Sequence, residues 1–148
     1  MNDSTMDKVF DRLLSRGVSK SEFRGCSPQE IGEIKARQGV SAIPGEYLCY
    51  LQHIGRGAGS FQKGTDAYYP NVLDLKEAAE ELLEENGSKI VLGPKSLVFE
   101  MHQGYEFAWF PDVETNRPAV NWYSEVSGDE IKEWPSLPAY LMYRLRGG

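Results

Sequence analysis

The stretch Leu97-Val98-Phe99-Glu100-Met101-His102-Gln103-Gly104-Tyr105-Glu106-Phe107-Ala108-Trp109-Phe110 decides how this chain is read. Large apolar residues recur at every second position on both sides of His102-Gln103-Gly104, which is the period of a strand with one buried face. Gly104 supplies the left-handed residue that a three-residue hairpin loop requires. The pairing this predicts sets Met101 opposite Tyr105, Phe99 opposite Phe107 and Leu97 opposite Trp109 on one apolar face. On the other face it sets Glu100 opposite Glu106, and like charges facing each other across a ladder cost stability. Ala119 to Ser124, after the turn-rich Thr115-Asn116-Arg117-Pro118, supplies a third strand.

Upstream the period changes to 3.6. Met6, Val9, Phe10, Leu13 and Leu14 share one side of a helix over Thr5 to Ser15 that stops near Gly17, with Asp3, Asp7 and Asp11 on the polar side. Ser27, Pro28 and Glu30 form an N-cap, a first-turn proline and a capping box, so a second helix starts there and ends at Gly39. Pro44 opens a third through Ile54, which places Tyr47, Tyr50, Leu51 and Ile54 on one face. Asp74 with Glu77 predicts a further capping box for a helix whose stripe is Leu75, Ala78, Ala79, Leu82 and Leu83. Trp134-Pro135-Ser136-Leu137 leads into a closing helix capped by Ser136. The fold class is α+β: N-terminal helices, an antiparallel β-meander and a C-terminal helix in one unit over 1–148, with 1–26 as N-terminal helix and connector. Leu97, Phe99, Met101, Tyr105, Phe107 and Trp109 are expected to face the helices, together with Tyr47, Leu51, Ile54, Leu82 and Leu83.

Composition bounds the function. A chain of 148 residues with 41% hydrophobic residues and 6 Phe, 8 Tyr and 3 Trp has ample material for a core, which excludes disorder throughout. No window holds the roughly 18–20 apolar residues of a membrane span. The acidic N-terminus does not resemble a secretory signal, so a cytoplasmic location is the expectation. The net charge of −6 is uneven: residues 1–73 carry nine Lys/Arg against eight Asp/Glu, and residues 74–148 carry seven against fourteen. Without a basic stripe, direct nucleic-acid binding is not expected, whereas an acidic surface suits a basic protein partner.

Catalytic and metal chemistry find little support. The two histidines, His53 and His102, occupy no metal-ligand spacing, and Cys26 and Cys49 form no C-x-x-C pair, so no metal or cofactor is expected. The run Gly55-Arg56-Gly57-Ala58-Gly59-Ser60 follows a helix and lacks the Lys-Ser/Thr ending of a phosphate loop, which favours a helix-terminating turn. The glutamates at 77, 80, 81, 84 and 85 read as a solvated helix face rather than a pair of catalytic carboxylates. His53 closes a helix, where its ring can serve the free carbonyls. The expectation is a protein that is not an enzyme.

Ser27-Pro28-Gln29-Glu30-Ile31 through Gly39, then Ile43-Pro44-Gly45-Glu46-Tyr47 with Leu48 and Tyr50-Leu51, resemble the opening of the SMI1/KNR4 family, also called the SUKH superfamily. Met101-His102-Gln103-Gly104-Tyr105-Glu106-Phe107, with Trp109-Phe110-Pro111 and later Trp134-Pro135-Ser136-Leu137, looks like the family's hairpin and closing helix. The resemblance covers about residues 27–145. Ile43 stands where leucine is usual, and Gly45 where an acidic or polar residue is usual. It implies an α+β fold, no general catalytic activity and, in bacteria, an immunity protein that binds and neutralises a toxin domain. The functional expectation is therefore a cytoplasmic immunity protein that occludes its cognate toxin, a basic nuclease domain being one such partner. The alternative is a regulatory protein–protein adaptor of the same type, related to cell-wall synthesis or signalling; a third possibility is a small hydrolase or ligand-binding domain with a pocket around Tyr68, Tyr69 and Trp122. Glu100, Glu106, Asp112 and Glu114 are the expected acidic contact residues, with Tyr68, Tyr69 and Trp122 as anchors at the edge.

Overall fold

The structure, a computed structural model, describes residues 5–147. Asp3 of the first predicted helix lies outside them. The helices are α1 (Met6–Ser15), α2 (Pro28–Gln38), α3 (Gly45–Ile54), α4 (Leu75–Glu85) and α5 (Leu137–Gly147). Strands β1 (Phe23–Arg24) and β2 (Gly57–Ala58) form a short ribbon. A five-stranded antiparallel sheet runs in the order β3 (Thr65–Asp66), β4 (Leu97–His102), β5 (Glu106–Phe110), β6 (Val120–Ser124) and β7 (Gly128–Trp134). The α+β class and the order of helices, meander and closing helix are as expected.

Local chemistry places the helix ends. Thr5 caps α1 by accepting from the Lys8 N–H, and Ser27 and Glu30 exchange the two hydrogen bonds of a capping box. Gly39 ends α2 at φ 68°, in the left-handed region that glycine adopts without a steric cost. Ser136 accepts from the Ala139 N–H at the start of α5. The predicted box at Asp74 does not form. A 3-10 turn over Asn71–Asp74 runs straight into α4, so Asp74 lacks the extended backbone of a cap and pairs instead with Arg37.

The hairpin departs from the predicted register. His102 pairs with Glu106, Met101 with Phe107 and Glu100 with Ala108, then a bulge shifts the ladder so that Val98 meets Trp109 and Leu97 meets Phe110. The turn is therefore Gln103-Gly104-Tyr105, one residue later than expected, with Gln103 and Gly104 both at positive φ. Tyr105 is half-exposed in that turn and does not belong to the core. The bulge has a cause outside the hairpin. Gln38, at the end of α2, is buried and its amide accepts from the Val98 N–H and donates to the Val98 carbonyl, acting as a substitute strand where β3 does not reach.

Because of the bulge, both faces of the sheet are covered. Phe99 and Phe110 pack on Tyr47 of α3, and Phe99 also meets Tyr140 of α5 edge-on. Phe107 packs on Trp109 and on Tyr123, whose hydroxyl accepts from Asn86 just beyond α4. The sheet is a middle layer between α3 with α5 on one side and α4 on the other. The expected core residues Leu97, Phe99, Met101, Phe107, Trp109, Tyr47, Leu51, Ile54, Leu82 and Leu83 are all buried, though on two faces rather than one.

Candidate protein-binding surface

The seven residues singled out in the sequence do not form one surface. Glu100 is 2% exposed. Paired with Ala108 and not with Glu106, it points toward α5, so the like-charge opposition that motivated an acidic patch is absent. Glu106 is half-buried beside the turn, between His102 and Ser124. Asp112 and Glu114 lie beyond the other end of β5. There Asp112 accepts from the Glu114 N–H at 2.9 Å and its carbonyl from the Thr115 hydroxyl, while Glu114 accepts from Ser41 and pairs with Lys95. These are the contacts of a folded loop. Tyr68 donates to the Phe61 carbonyl, and Tyr69 donates to Glu33 beneath the Arg56 guanidinium, 5.2 Å from its ring. Trp122 carries the Lys132 ammonium 5.1 Å from its ring. None of the three aromatics lines either of the clefts described below.

Glu100 anchors a buried polar chain instead. The Gln62 amide donates to one carboxylate oxygen at 2.6 Å, the Tyr140 hydroxyl donates to the other, and Arg144 Nε lies 3.9 Å away. Tyr50 donates to the Gln62 carbonyl oxygen at 2.6 Å. Burial, with the negative charge of Glu100 adding to it, holds the Tyr140 phenol well above its ordinary range, so it remains a donor. A carboxylate this deep would be very costly without such partners.

The surface that offers a binding geometry lies on the α4 side. Trp109, Asn121 and Glu133 form one cross-strand row over β5, β6 and β7, and residues of a row share a face. Alternation along β7 puts Asp129 and Ile131 on that face too. Trp109, Asn121 and Ile131 floor a groove of about 550 Å³ walled by the segment from Ile90 to Ser96. Val91 is 85% exposed on its wall and Ile131 38% exposed on its floor. Asn121 Oδ1 is buried there and finds no hydrogen-bond partner among the described residues. Asp129 ties the wall to the sheet by accepting from the Ser88 hydroxyl and the Lys89 N–H at 3.1 Å, and these two bonds hold its carboxyl below the usual carboxylate value. Glu84 and Glu85, at the end of α4, are exposed.

The reactive groups elsewhere are quiet. Burial, reinforced by Glu30 and opposed by Arg56, pushes the Cys26 thiol up to about 11, so it is protonated at neutral pH and a poor nucleophile. The His53 ring lies 2.8 Å from the Cys49 carbonyl and serves a helix end, as its position suggests. Among the described residues no cluster of His, Cys, Asp and Glu is arranged to hold a metal ion, and no helix is long and apolar enough to cross a membrane. Comparison with protein-family models, with curated proteins and with solved structures finds no match. The sequence reading missed the groove because β7, Gly128-Asp129-Glu130-Ile131-Lys132-Glu133-Trp134, holds one aliphatic residue in a polar run. Alternation around Ile131 was the only signal available.

Proposed function

We propose that this chain is an immunity-type binding protein that acts in the cytoplasm and neutralises a basic toxin domain by occluding it. The observation that carries the reading is the groove on the α4 side: an apolar floor with Ile131 and Val91 exposed, a buried acceptor with no partner of its own among the described residues, Glu133 in the same cross-strand row, and a lining lysine, Lys95, already paired with Glu114. An apolar or aromatic anchor from the partner would occupy the floor beside Asn121, and its basic side chains would face the exposed Glu133 on the same face of the sheet. The acidic second half of the chain would speed encounter with such a partner. The resemblance to the SMI1/KNR4 family supports the same class of function, and the Ser27 capping box, the Pro44 helix start and the Gly104 turn that carry it are structural features of the fold.

Co-expression with the toxin domain encoded beside this chain's gene is the test. Growth should be rescued by the chain, and rescue should be lost with Ile131→Asp while the melting temperature is preserved. Full rescue by Ile131→Asp, or a locus with no toxin gene and no protection against any toxin domain tried, would count against the reading.

A further inference from the structure

A second cleft, of about 810 Å³, opens on the opposite side of the sheet, among the end of α1, the loop after β2 and the end of α5. Its lining includes Arg16, Lys63, Arg144 and Arg146, with His102, and includes no carboxylate. That is an unusual concentration of positive charge for a chain of net charge −6. Acids adjoin the cleft without lining it: Glu100, 3.9 Å from Arg144 and already holding two other donors, Glu106, cross-strand from His102, Glu22, which accepts from the Ser19 N–H, and Asp66, which accepts from Asn71. Arg16 donates to the Leu145 carbonyl and so fixes α1 against α5. Lys63 and Arg146 are exposed and have no ion-pair partner among the described residues.

Gathering like charges costs folding free energy; Arg16 and Arg144 have structural partners in Leu145 and Glu100, and the charges of Lys63 and Arg146 are not offset in that way among the described residues. The loop that carries Lys63 is held in place with care. Gln62 sits at φ 58°, a left-handed conformation rare for a residue with a side chain, and its amide is fixed between Tyr50 and Glu100. The polar Ser60 and Thr65, the rings of Phe61 and Tyr143 and aliphatic side chains from the α1 and α5 ends make up most of the remaining lining. Guanidinium groups match phosphate oxygens two at a time, an ammonium adds a point charge, and the exposed Tyr143 ring with the half-buried Phe61 ring can accept a flat apolar body. We propose that this cleft binds a nucleoside phosphate, with its phosphates between Lys63, Arg144 and Arg146 and its base against Phe61 and Tyr143. The proposal is independent of toxin binding, because the two sites lie on opposite faces of the sheet.

Titration of the full chain with ADP and, separately, with inorganic pyrophosphate tests it. ADP should bind saturably, more tightly than pyrophosphate, and more weakly as salt is raised. Lys63→Glu with Arg146→Glu should weaken ADP binding by about tenfold or more. Both residues are exposed, so the circular dichroism and melting temperature of the double variant should match the parent, and its affinity for the toxin domain should be unchanged. Lys63→Ala alone should give a smaller loss in the same direction. Absence of saturable ADP binding, or ADP affinity unaltered in the double variant, would overturn the proposal. Pyrophosphate binding as tightly as ADP would overturn the assignment of the nucleoside.

Discussion

The two faces of the sheet treat their polar groups in opposite ways. Toward α5, Glu100 is buried with every oxygen engaged by Gln62 and Tyr140 and a guanidinium nearby. Toward α4, Asn121 is left with a buried oxygen that meets no donor, in a groove that exposes Ile131 and Val91. The Tyr47 hydroxyl on the α5 side also meets no partner among the described residues, but it is sealed in the core against Phe99 and Phe110, whereas Asn121 lies beside a groove with exposed apolar side chains. A buried charge here is thus evidence of internal structure, and an incomplete polar group points to function only where exposed apolar side chains lie beside it.

The largest expected effects break the two faces themselves. Phe107 is 1% exposed against Trp109 and Tyr123, so Phe107→Ala should lower unfolding stability by about 3–5 kcal/mol in urea titration. Glu100→Leu should cost about 3 kcal/mol in the same assay, since it strands the Tyr140 hydroxyl and the Gln62 amide in the interior. A loss from Glu100→Leu no greater than that from Glu106→Gln would show that the α5 face is not completed by this carboxylate.

Asn121→Leu sharpens the contrast in the other direction. Removing a buried acceptor without a partner should raise stability by about 1 kcal/mol while weakening binding of the proposed toxin partner, the trade expected of a functional site. Destabilisation by this change would mean that Asn121 is structural. The smallest effect belongs to Asp129. Its folded carboxyl titrates below the ordinary value because it accepts from Ser88 and from the Lys89 N–H. Its contribution is therefore present above the pKa of the unfolded chain and is lost as pH falls through the lower folded value. Asp129→Asn should lower stability slightly between pH 6 and 8 and leave it little changed at low pH, which flattens the acid limb of the stability curve.

Features fixed within a few residues were legible in the sequence, and features assembled across the chain were not. The capping box of Ser27 and Glu30, the Gly39 stop and the Ser136 cap depend on neighbours three residues away or fewer. The hairpin was legible too, but its register was not, because the bulge is set by Gln38, 60 residues from Val98. The apolar alternation of β4 and β5 marked the core residues correctly except Tyr105, which falls in the turn, and that displacement divided them between two faces. Tyr68, Tyr69 and Glu114 looked available in the sequence and are engaged by Phe61, Glu33, Ser41 and Lys95 in the fold. The groove draws on residues from 90 to 131 and has no local signature.

The central claim is that a protein partner is held by the groove on the α4 side and not by the acids near the hairpin. Affinity for the proposed partner, a toxin domain against which the chain protects cells, measured by calorimetry for the parent chain, for Ile131→Asp and for Glu106→Lys, tests it most directly. The account predicts a loss of about tenfold or more for Ile131→Asp and little change for Glu106→Lys, with all three chains equally folded. Undiminished affinity in Ile131→Asp together with a comparable loss in Glu106→Lys would contradict it.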